Sequence, residues 1–432
     1  RHPLFFHGGA QLVPASNVIQ QEILAEVLTD LPLDNPLRSE HPSQGFIYLR
    51  DIRSRISDLK RAGITPKQLH EVLRHNKKRI EAITKLLEPF NARIALKNLE
   101  SYRETAETLL AKKEATFPLP FFGPLSHALG QSLLLAVIQA EETQSSKPLS
   151  SWKTQYTKPG VDKKRTLKEG DQEEKLFALV VIYKQYQKTL AAAGYRDFDD
   201  LLLDALETIQ GNPGLQAELH EQYQYILVDE FQDTNGAQAQ FLSLLTDHKD
   251  RNPNLMVVGD DDQAIYKFQG AALDNILGFK ERYPGATIIT MTTSYRSHQR
   301  VLDLARSVIK QGQQRLEDLI PELNKTLSAG KSIEDGVLGT FRARSREEER
   351  QWIVEQIQTL IDEGIHYEEI AIIGRYHKDL QEIMPYINRA EIPLRYDRQR
   401  DVRNDPHIKE LITLARFITA LAEDKPRKAD YL

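Results

Sequence analysis

The sequence predicts an α/β protein in which parallel-sheet lobes are combined with a large α-helical domain. Two short apolar runs, residues 226–228 and 255–258, contain β-branched side chains and are bounded by turn residues. Such runs are typical of buried strands in a parallel sheet. Residues 235–245 between them have the length and spacing of a helix, so the unit is strand, helix, strand. Strands and helices also alternate after residue 285, whereas the first half carries helical patterns.

The first half of the chain is predicted to be α-helical because apolar side chains recur at the spacing of an amphipathic helix. The helical patterns cover residues 15–30, 48–62, 67–115, 124–138 and 174–193. Residues 143–173 are polar and rich in lysine, so we interpret them as a loop or partly ordered linker.

In the second half, short apolar runs alternate with helical patterns, which indicates βαβ units and a mostly parallel sheet. The candidate strands are residues 286–291, 337–341, 370–373 and 392–396. The candidate helices are residues 298–311, 346–362, 377–389 and 406–422. The Tyr-Pro-Gly step at 283–285 is the predicted boundary between two lobes. The domain prediction is therefore a mostly helical region 1–215, a first lobe segment 216–285 and a second lobe segment 286–432.

Composition limits the classes of function. A chain of 432 residues predicts two or three domains. With 57 Lys and Arg against 62 Asp and Glu, the net charge is −5, so a nucleic-acid partner needs a local basic surface. The absence of cysteine excludes disulfides, zinc–thiolate sites and thiol catalysis. Apolar runs stay far below the ~18 residues of a membrane span, and no signal peptide opens the sequence. We expect a soluble, cytoplasmic protein with no membrane partner.

Acidic residues follow both strands of the strand–helix–strand unit. Asp229 and Glu230 come after the first strand, and residues 260–262 are three aspartates after the second. Ligands of parallel sheets bind beyond the carboxyl ends of the strands. An aspartate there can hold the Mg²⁺ that bridges nucleotide phosphates, and a neighbouring carboxylate can polarise water. Acidic residues at this position are also common simply because they stabilise the start of the next helix. The Asp-Glu pair alone therefore does not distinguish a metal site from a helix start.

Three longer motifs carry a family resemblance. Residues 229–235 read DEFQDTN, residues 258–266 read VGDDDQAIY, and residues 294–297 read SYRS. In this order they closely resemble motifs II, III and IV of superfamily 1 DNA helicases of the UvrD/Rep/PcrA type. Residues 197–200, DFDD, add weaker support. The resemblance covers about 195–310, and more loosely 337–420.

The resemblance implies a RecA-like fold and a chemistry. Residues 1–215 would be a 1B-like helical domain, 216–285 the C-terminal part of lobe 1A and 286–432 the N-terminal part of lobe 2A. The implied activity is an ATP-dependent helicase that couples Mg²⁺-ATP hydrolysis to 3′-to-5′ movement on single-stranded DNA, in repair or recombination. Its implied partners are single-stranded DNA and junctions of single- and double-stranded DNA.

The resemblance also assigns roles to individual residues. Asp229 is similar to the Mg²⁺ ligand, and Glu230 to the general base that positions water. Gln263 matches the glutamine that senses the γ-phosphate, although a surface amide is the alternative. Tyr295 matches the tyrosine that stacks on adenine. Arg296 matches the arginine that reaches the γ-phosphate and neutralises charge on it.

Two aromatic residues fall where the family stacks DNA bases, Tyr266 and Phe268. Such stacking contributes about 1–3 kcal/mol per base, and packing between domains is the competing interpretation. The family usually has Trp-Arg-Gly where this chain has residues 268–270, FQG, so a guanidinium is lost. A basic run around Trp152 and Tyr156 is a second candidate DNA surface, although such runs are usually only solvated.

The phosphate loop Gly-x-x-x-x-Gly-Lys-Ser/Thr does not occur in the sequence. The family places that loop upstream and motifs V and VI downstream. We therefore expect an internal segment of a helicase, inactive by itself, whose full-length parent is the ATPase. The alternatives are the helicase part of a RecB/AddA-like helicase–nuclease and a non-catalytic helicase-like module that binds DNA.

Overall fold

Helices dominate the part of the chain that the structure, a computed structural model, describes. The described residues are 13–41, 45–111, 124–160, 164–168, 172–246, 253–264, 279, 282–311, 317, 324–330, 338–396 and 406–422. The chain divides into two units, one formed by residues 1–289 with 314–323 and the other by residues 290–313 with 324–432. Each unit has its own apolar core.

The helices are α1 Asn17–Thr29, α2 Leu49–Arg61, α3 Pro66–Leu86, α4 Leu99–Ala111, α5 Leu125–Glu142, α6 Lys147–Tyr156, α7 Glu173–Ala192, α8 Phe198–Gly211, α9 Pro213–Gln222, α10 Gly236–Thr246, α11 Gln299–Ile309, α12 Arg346–Asp362, α13 His377–Arg389 and α14 Pro406–Ala422. Most coincide with the predicted helices to within a few residues. Their ends carry the expected signals, such as the capping box of Thr65 and Gln68 that precedes and opens α3.

The strands are short and form two-stranded sheets. They are β1 Val13–Pro14, β2 Glu40–His41, β3 Gly45–Phe46, β4 Thr157–Pro159, β5 Arg165–Leu167, β6 Tyr195–Arg196, β7 Ile226–Val228, β8 Leu255–Val257, β9 Thr293–Ser294 and β10 Ser328–Ala329. The pairs β1–β6, β7–β8 and β9–β10 are parallel, whereas β2–β3 and β4–β5 are antiparallel. The described fold is thus α/β with small parallel sheets and much helix.

Two apolar clusters hold the helical part of the first unit together. The first joins α1, α2 and α7 around Leu24, Ile56 and Tyr183. The second joins α3 to α6 and β5 around Phe90 and Trp152. Burying one large apolar side chain contributes roughly 1.5–3 kcal/mol, so these clusters are the main source of stability in this part of the chain.

The predicted continuous helix over residues 67–115 is wrong. Helix α3 ends at Leu86, and short 3₁₀ turns at Glu88–Asn91 and Leu96–Asn98 precede α4. Pro89 lies in the first of these turns, and a proline has no backbone N–H for the helical ladder. Phe90 then points into the second cluster, fully buried.

The predicted loop over residues 143–173 is also wrong. It contains α6 and the β4–β5 hairpin, in which Thr157 faces Leu167 and Pro159 faces Arg165. The prediction failed because the segment is polar on average, although three of its side chains are buried in the second cluster: Leu149, Trp152 and Leu167. Because these few side chains fill the second cluster, the surrounding lysines do not prevent a fixed structure.

A buried ion network links α2 to the start of α8. The Nζ of Lys60, fully buried, lies 2.5 Å from Oδ2 of Asp197 and 2.6 Å from Oδ1 of Asp200. The two aspartates also cap α8 reciprocally, since the N–H of Asp200 donates to Asp197 and the N–H of Asp197 donates to Asp200. The Lys60 ammonium lies 5.1 Å from the ring centroid of Tyr186, and Gln187 donates to Asp200. Two carboxylates thus share one cation inside the first unit.

In the second unit, α12 and α13 pack around Ile357, Ile387 and Ile392. No strand forms where the four predicted segments are described, residues 286–291, 338–341, 370–373 and 392–396, so those strand predictions are wrong. The alternation itself is real at one of them, because Ile370 and Ile372 face the cluster while Ile373 is exposed. Alternation reports which side chains are buried, but a strand also needs a hydrogen-bonding neighbour about 4.8 Å away.

Candidate active site

The carboxyl ends of β7 and β8 lie side by side, as the sequence predicts. The parallel register pairs Ile226 with Leu255 and Val228 with Val257. Hydrogen bonds continue past the strands, because the N–H of Val258 donates to the carbonyl of Val228 at 2.8 Å. The N–H of Phe231 then donates to the carbonyl of Val258 at 2.9 Å. Both groups of acids therefore leave the sheet at the same edge.

Asp229 and Glu230 are exposed at this edge. The N–H of Glu230 donates to Oδ1 of Asp229 at 2.9 Å. Glu230 has the left-handed backbone conformation, with φ 49° and ψ 44°, and the 3₁₀ turn Phe231–Asp233 begins immediately after it. A side chain other than glycine in this region costs of order 1 kcal/mol, and such residues cluster at functional sites.

The end of β8 forms a second turn, Asp261–Gln263, capped by Asp260. Oδ1 of Asp260 accepts from the N–H of Asp262 at 3.2 Å, which caps the turn. Its other oxygen, Oδ2, accepts from Nε2 of Gln263 at 2.9 Å. Gln263 is exposed, so its side chain is held from one side and open to solvent on the other.

Gln232 connects the two strand ends. Its side chain is buried, with 1% of the residue exposed. Nε2 of Gln232 donates to Oε2 of Glu230 at 2.6 Å, and Oε1 accepts from the backbone N–H of Asp260 at 2.9 Å. Gly259 allows this close approach, since a Cβ there would lie 2.7 Å from Oε1 of Gln232. The two turns are therefore one hydrogen-bonded unit.

The predicted metal ligand fits its role. Asp229 presents an exposed carboxylate at the carboxyl end of a parallel strand, and Mg²⁺ prefers carboxylate, phosphate and water oxygens. Within the described ranges, no three His, Cys, Asp or Glu side chains are grouped to enclose a metal ion. Mg²⁺ in nucleotide sites commonly takes one or two protein carboxylates, so the arrangement suits a metal that arrives with phosphates.

Tyr295 and Arg296 lie in the second unit, directly after β9. Both are exposed, and 71% of Tyr295 is accessible. The Tyr295 ring lies over Gly330, where a Cβ would come within 2.6 Å of it. The N–H of Gly330 donates to the carbonyl of Ser294 at 2.8 Å, which fixes that glycine beside the strand. The ring is thus supported on one side and accessible for stacking on the other.

The two predicted base-stacking residues, Tyr266 and Phe268, lie outside the described residues. In the basic run, the ring of Trp152 is not accessible for stacking on bases. Only 4% of Trp152 is exposed, its ring packs between Phe90 and Tyr156, and its Nε1 donates to Oγ of Ser132 at 2.9 Å. Burial, and then the charge of Arg165, lower the pKa of Lys153, whose Nζ donates to a backbone carbonyl.

Sequence reasoning left two residues without a role. Gln232 lies inside the DEFQDTN motif at 229–235. Its position two residues after Glu230 is the sequence feature from which a role beside that carboxylate could have been predicted. Lys60 gave no signal, because its partner Asp197 is 137 residues away in the sequence. The DFDD motif at 197–200 is the start of α8 and supplies both carboxylates of the buried network.

Comparisons with known proteins agree with this architecture. Residues 125–284 match the UvrD/REP helicase N-terminal domain, and residues 289–425 match the UvrD-like helicase C-terminal domain. The chain is 33% identical over 213 residues to the ATP-dependent DNA helicase PcrA of Leuconostoc citreum, covering 49% of this chain and 27% of that protein. It is 34% identical over 249 residues to a probable DNA helicase II homolog of Mycoplasma capricolum, covering 57% of this chain and 32% of that protein.

A third relative is the ATP-dependent DNA helicase UvrD1 of Mycobacterium tuberculosis, 31% identical over 245 residues, which are 54% of this chain and 31% of that protein. The chain thus spans about a third of the length of the curated relatives it matches.

The described fold is that of an α/β protein with carboxylates at the carboxyl ends of two parallel strands, the edge at which ligands of such sheets usually bind. The two domain matches are more specific, and together they cover most of residues 125–425. The chain belongs to the UvrD/Rep/PcrA-like superfamily 1 helicases. Among the helices in the described ranges, none has the length and apolar character needed to cross a membrane.

Proposed function

We propose that the protein containing this chain is an ATP-dependent DNA helicase that moves 3′ to 5′ on single-stranded DNA and acts at junctions with duplex DNA. Repair or recombination is the setting we propose, in the cytoplasm. Residues 1–215 would form the 1B-like helical domain, and 216–285 and 286–432 would be parts of RecA-like lobes 1A and 2A. The observation that carries the proposal is the hydrogen-bonded pair of strand ends bearing Asp229, Glu230 and Gln263.

ATP with Mg²⁺ supplies the transferable phosphoryl group and a cation that offsets its charge. Asp229 would hold the metal through its exposed carboxylate. Glu230, held on one oxygen by Gln232, would orient a water and accept its proton. Gln263 would contact the terminal phosphate, Arg296 would neutralise charge on it, and Tyr295 would stack on the base. Tyr266 and Phe268 would stack on DNA bases.

The test is ATP hydrolysis by the full-length protein, with and without single-stranded DNA. DNA is expected to stimulate hydrolysis, and removal of Mg²⁺ with EDTA is expected to abolish it. Glu230→Gln removes the proton acceptor while keeping the shape, so kcat should fall about 10²–10⁴-fold with little change in KM for ATP. Glu221→Gln on α9 is the matched control, since Glu221 is exposed away from the strand ends, and it should have wild-type activity.

Two further outcomes separate the alternatives. A full-length protein that binds single-stranded DNA but hydrolyses no ATP would be a non-catalytic module and would contradict the proposal. ATP-dependent degradation of linear DNA would identify a helicase–nuclease. Polarity is measured by unwinding of partial duplexes, which should proceed with a 3′ tail and fail with a 5′ tail of equal length.

A further inference from the structure

Gln232 makes two hydrogen bonds whose partners fix the orientation of its amide. The Asp260 backbone N–H can only donate, so the atom 2.9 Å from it must be the amide oxygen. The Glu230 carboxylate accepts, so the atom 2.6 Å from Oε2 must be the amide nitrogen. Because the residue is 1% exposed, water cannot replace either bond without rearrangement.

The surroundings leave this amide little freedom. The N–H of Phe231 is tied to the carbonyl of Val258, and Gly259 packs directly on the Gln232 side chain. Phe231 is buried and meets the ring of Phe279 edge-on at 5.6 Å. The donor that reaches Glu230 is thus preorganised by the packed sheet edge, whereas Glu230 itself is exposed.

The second bond extends the chain of contacts to Gln263. The backbone N–H of Asp260 donates to Gln232, and its carboxylate oxygen Oδ2 accepts from Gln263. A continuous path therefore runs from Glu230 through Gln232 and Asp260 to Gln263. Its two ends are the proposed general base and the proposed phosphate-sensing amide.

We propose that Gln232 is a positioning residue that orients the Glu230 carboxylate and makes its position depend on the turn that carries Gln263. The bond to Oε2 leaves Oε1 as the oxygen that meets the attacking water. A displacement of the Gln263 turn is transmitted through the Asp260 N–H to Gln232 and then to Glu230. This inference rests on the proposed ATP hydrolysis.

Two substitutions in the full-length protein test the proposal. Gln232→Leu removes both bonds at similar volume. Gln232→Glu keeps an acceptor for the Asp260 N–H and, when the new carboxyl is ionised, loses the donor to Glu230, so it separates the catalytic contact from the structural one. Both variants should lower kcat about 10–100-fold, with KM for ATP within about threefold of wild type, because Gln232 does not reach the nucleotide. Gln222→Leu, an exposed glutamine at the end of α9, is the matched control and should be unchanged.

A double-mutant cycle identifies the route of the effect. If Gln232 acts through Glu230, then Gln232→Leu should cost less than threefold in kcat when added to Glu230→Gln, measured by slow single-turnover hydrolysis. Losses that multiply fully would show a general structural defect and overturn the proposal, as would wild-type kcat in Gln232→Glu. A wild-type protein that hydrolyses no ATP would overturn the proposed function itself, and this inference with it.

Discussion

Replacing Lys60 by methionine tests the buried ion network between α2 and α8. Methionine has a similar length and no charge, so it leaves Asp197 and Asp200 buried without their cation. Removing one partner of a buried ion pair costs about 3–5 kcal/mol, because the remaining charge stays desolvated. At pH 7.5 we therefore expect α2 and the start of α8 to open roughly 150- to 5,000-fold more often than in the parent.

The cost should depend on pH in a defined direction. Burial raises the pKa of Asp197 to about 6, although the Lys60 charge opposes the rise. Its ionisation thus destabilises the fold above pH 6, an effect that disappears as pH falls from about 6 towards 3.8. For Asp200, burial also favours the neutral form, but Lys60 and the hydrogen bonds outweigh it, so its pKa is lowered and its charge stabilises the fold above pH 3.8.

Without Lys60 both carboxyl groups bind a proton more readily in the folded state. Each extra proton bound by the folded state changes stability by about 1.4 kcal/mol per pH unit. The penalty of Lys60→Met should therefore shrink by about 2 kcal/mol between pH 7.5 and 5.5. Hydrogen-exchange mass spectrometry of peptides from α2 and α8 measures both values, after correction for the pH dependence of intrinsic exchange.

Two further variants complete this test. Lys184→Met, an exposed lysine on α7, should stay within about 0.5 kcal/mol of the parent. Lys60→Met combined with Asp197→Asn and Asp200→Asn should recover much of the loss, since no charge is buried and each asparagine keeps an oxygen for its capping bond. A Lys60→Met protein with parental exchange at both pH values would refute the reasoning, because the cation would then not be balancing the two carboxylates.

Two other predictions follow from packing. Gly259→Ala places a Cβ 2.7 Å from Oε1 of Gln232, so the amide must shift. We expect the free energy of unfolding to fall by about 1–3 kcal/mol and kcat for ATP hydrolysis to fall roughly tenfold. In the control Gly285→Ala the new Cβ has no atom within 4 Å, so neither quantity should change. Trp152→Ala removes a buried ring from the second cluster and should cost about 3–5 kcal/mol by hydrogen exchange. It should leave affinity for single-stranded DNA unchanged in fluorescence anisotropy, and weaker DNA binding at parental stability would instead show that the ring contacts DNA.

Local patterns correctly predicted much of the fold. The helices α1, α2, α10 and α12 follow the 3.6-residue spacing of their apolar side chains, and β7 and β8 follow two short apolar runs. The placement of Asp229 and Asp260 at one sheet edge followed from the rule that parallel strands end together. The roles assigned to Glu230, Gln263, Tyr295 and Arg296 depend on the motif resemblance and stay predictions.

Patterns failed where a structure depends on distant partners. Within residues 143–173 the many lysines hid the buried side chains of Leu149 and Trp152. The four apolar runs predicted as strands after residue 285 form no strand where the structure describes them. Periodicity is a property of a few consecutive residues, so local patterns were enough to predict helices such as α1, α2, α10 and α12 and the β7–β8 unit, and the motifs were enough to predict the family. The hydrogen bond from Asp260 to Gln232, 28 residues away, and the position of Lys60 between Asp197 and Asp200 are visible only in the folded chain. Such contacts form because packing brings remote polar groups together and excludes water, so these groups must hydrogen-bond to each other. A local sequence pattern contains no information about which remote residues will meet in this way.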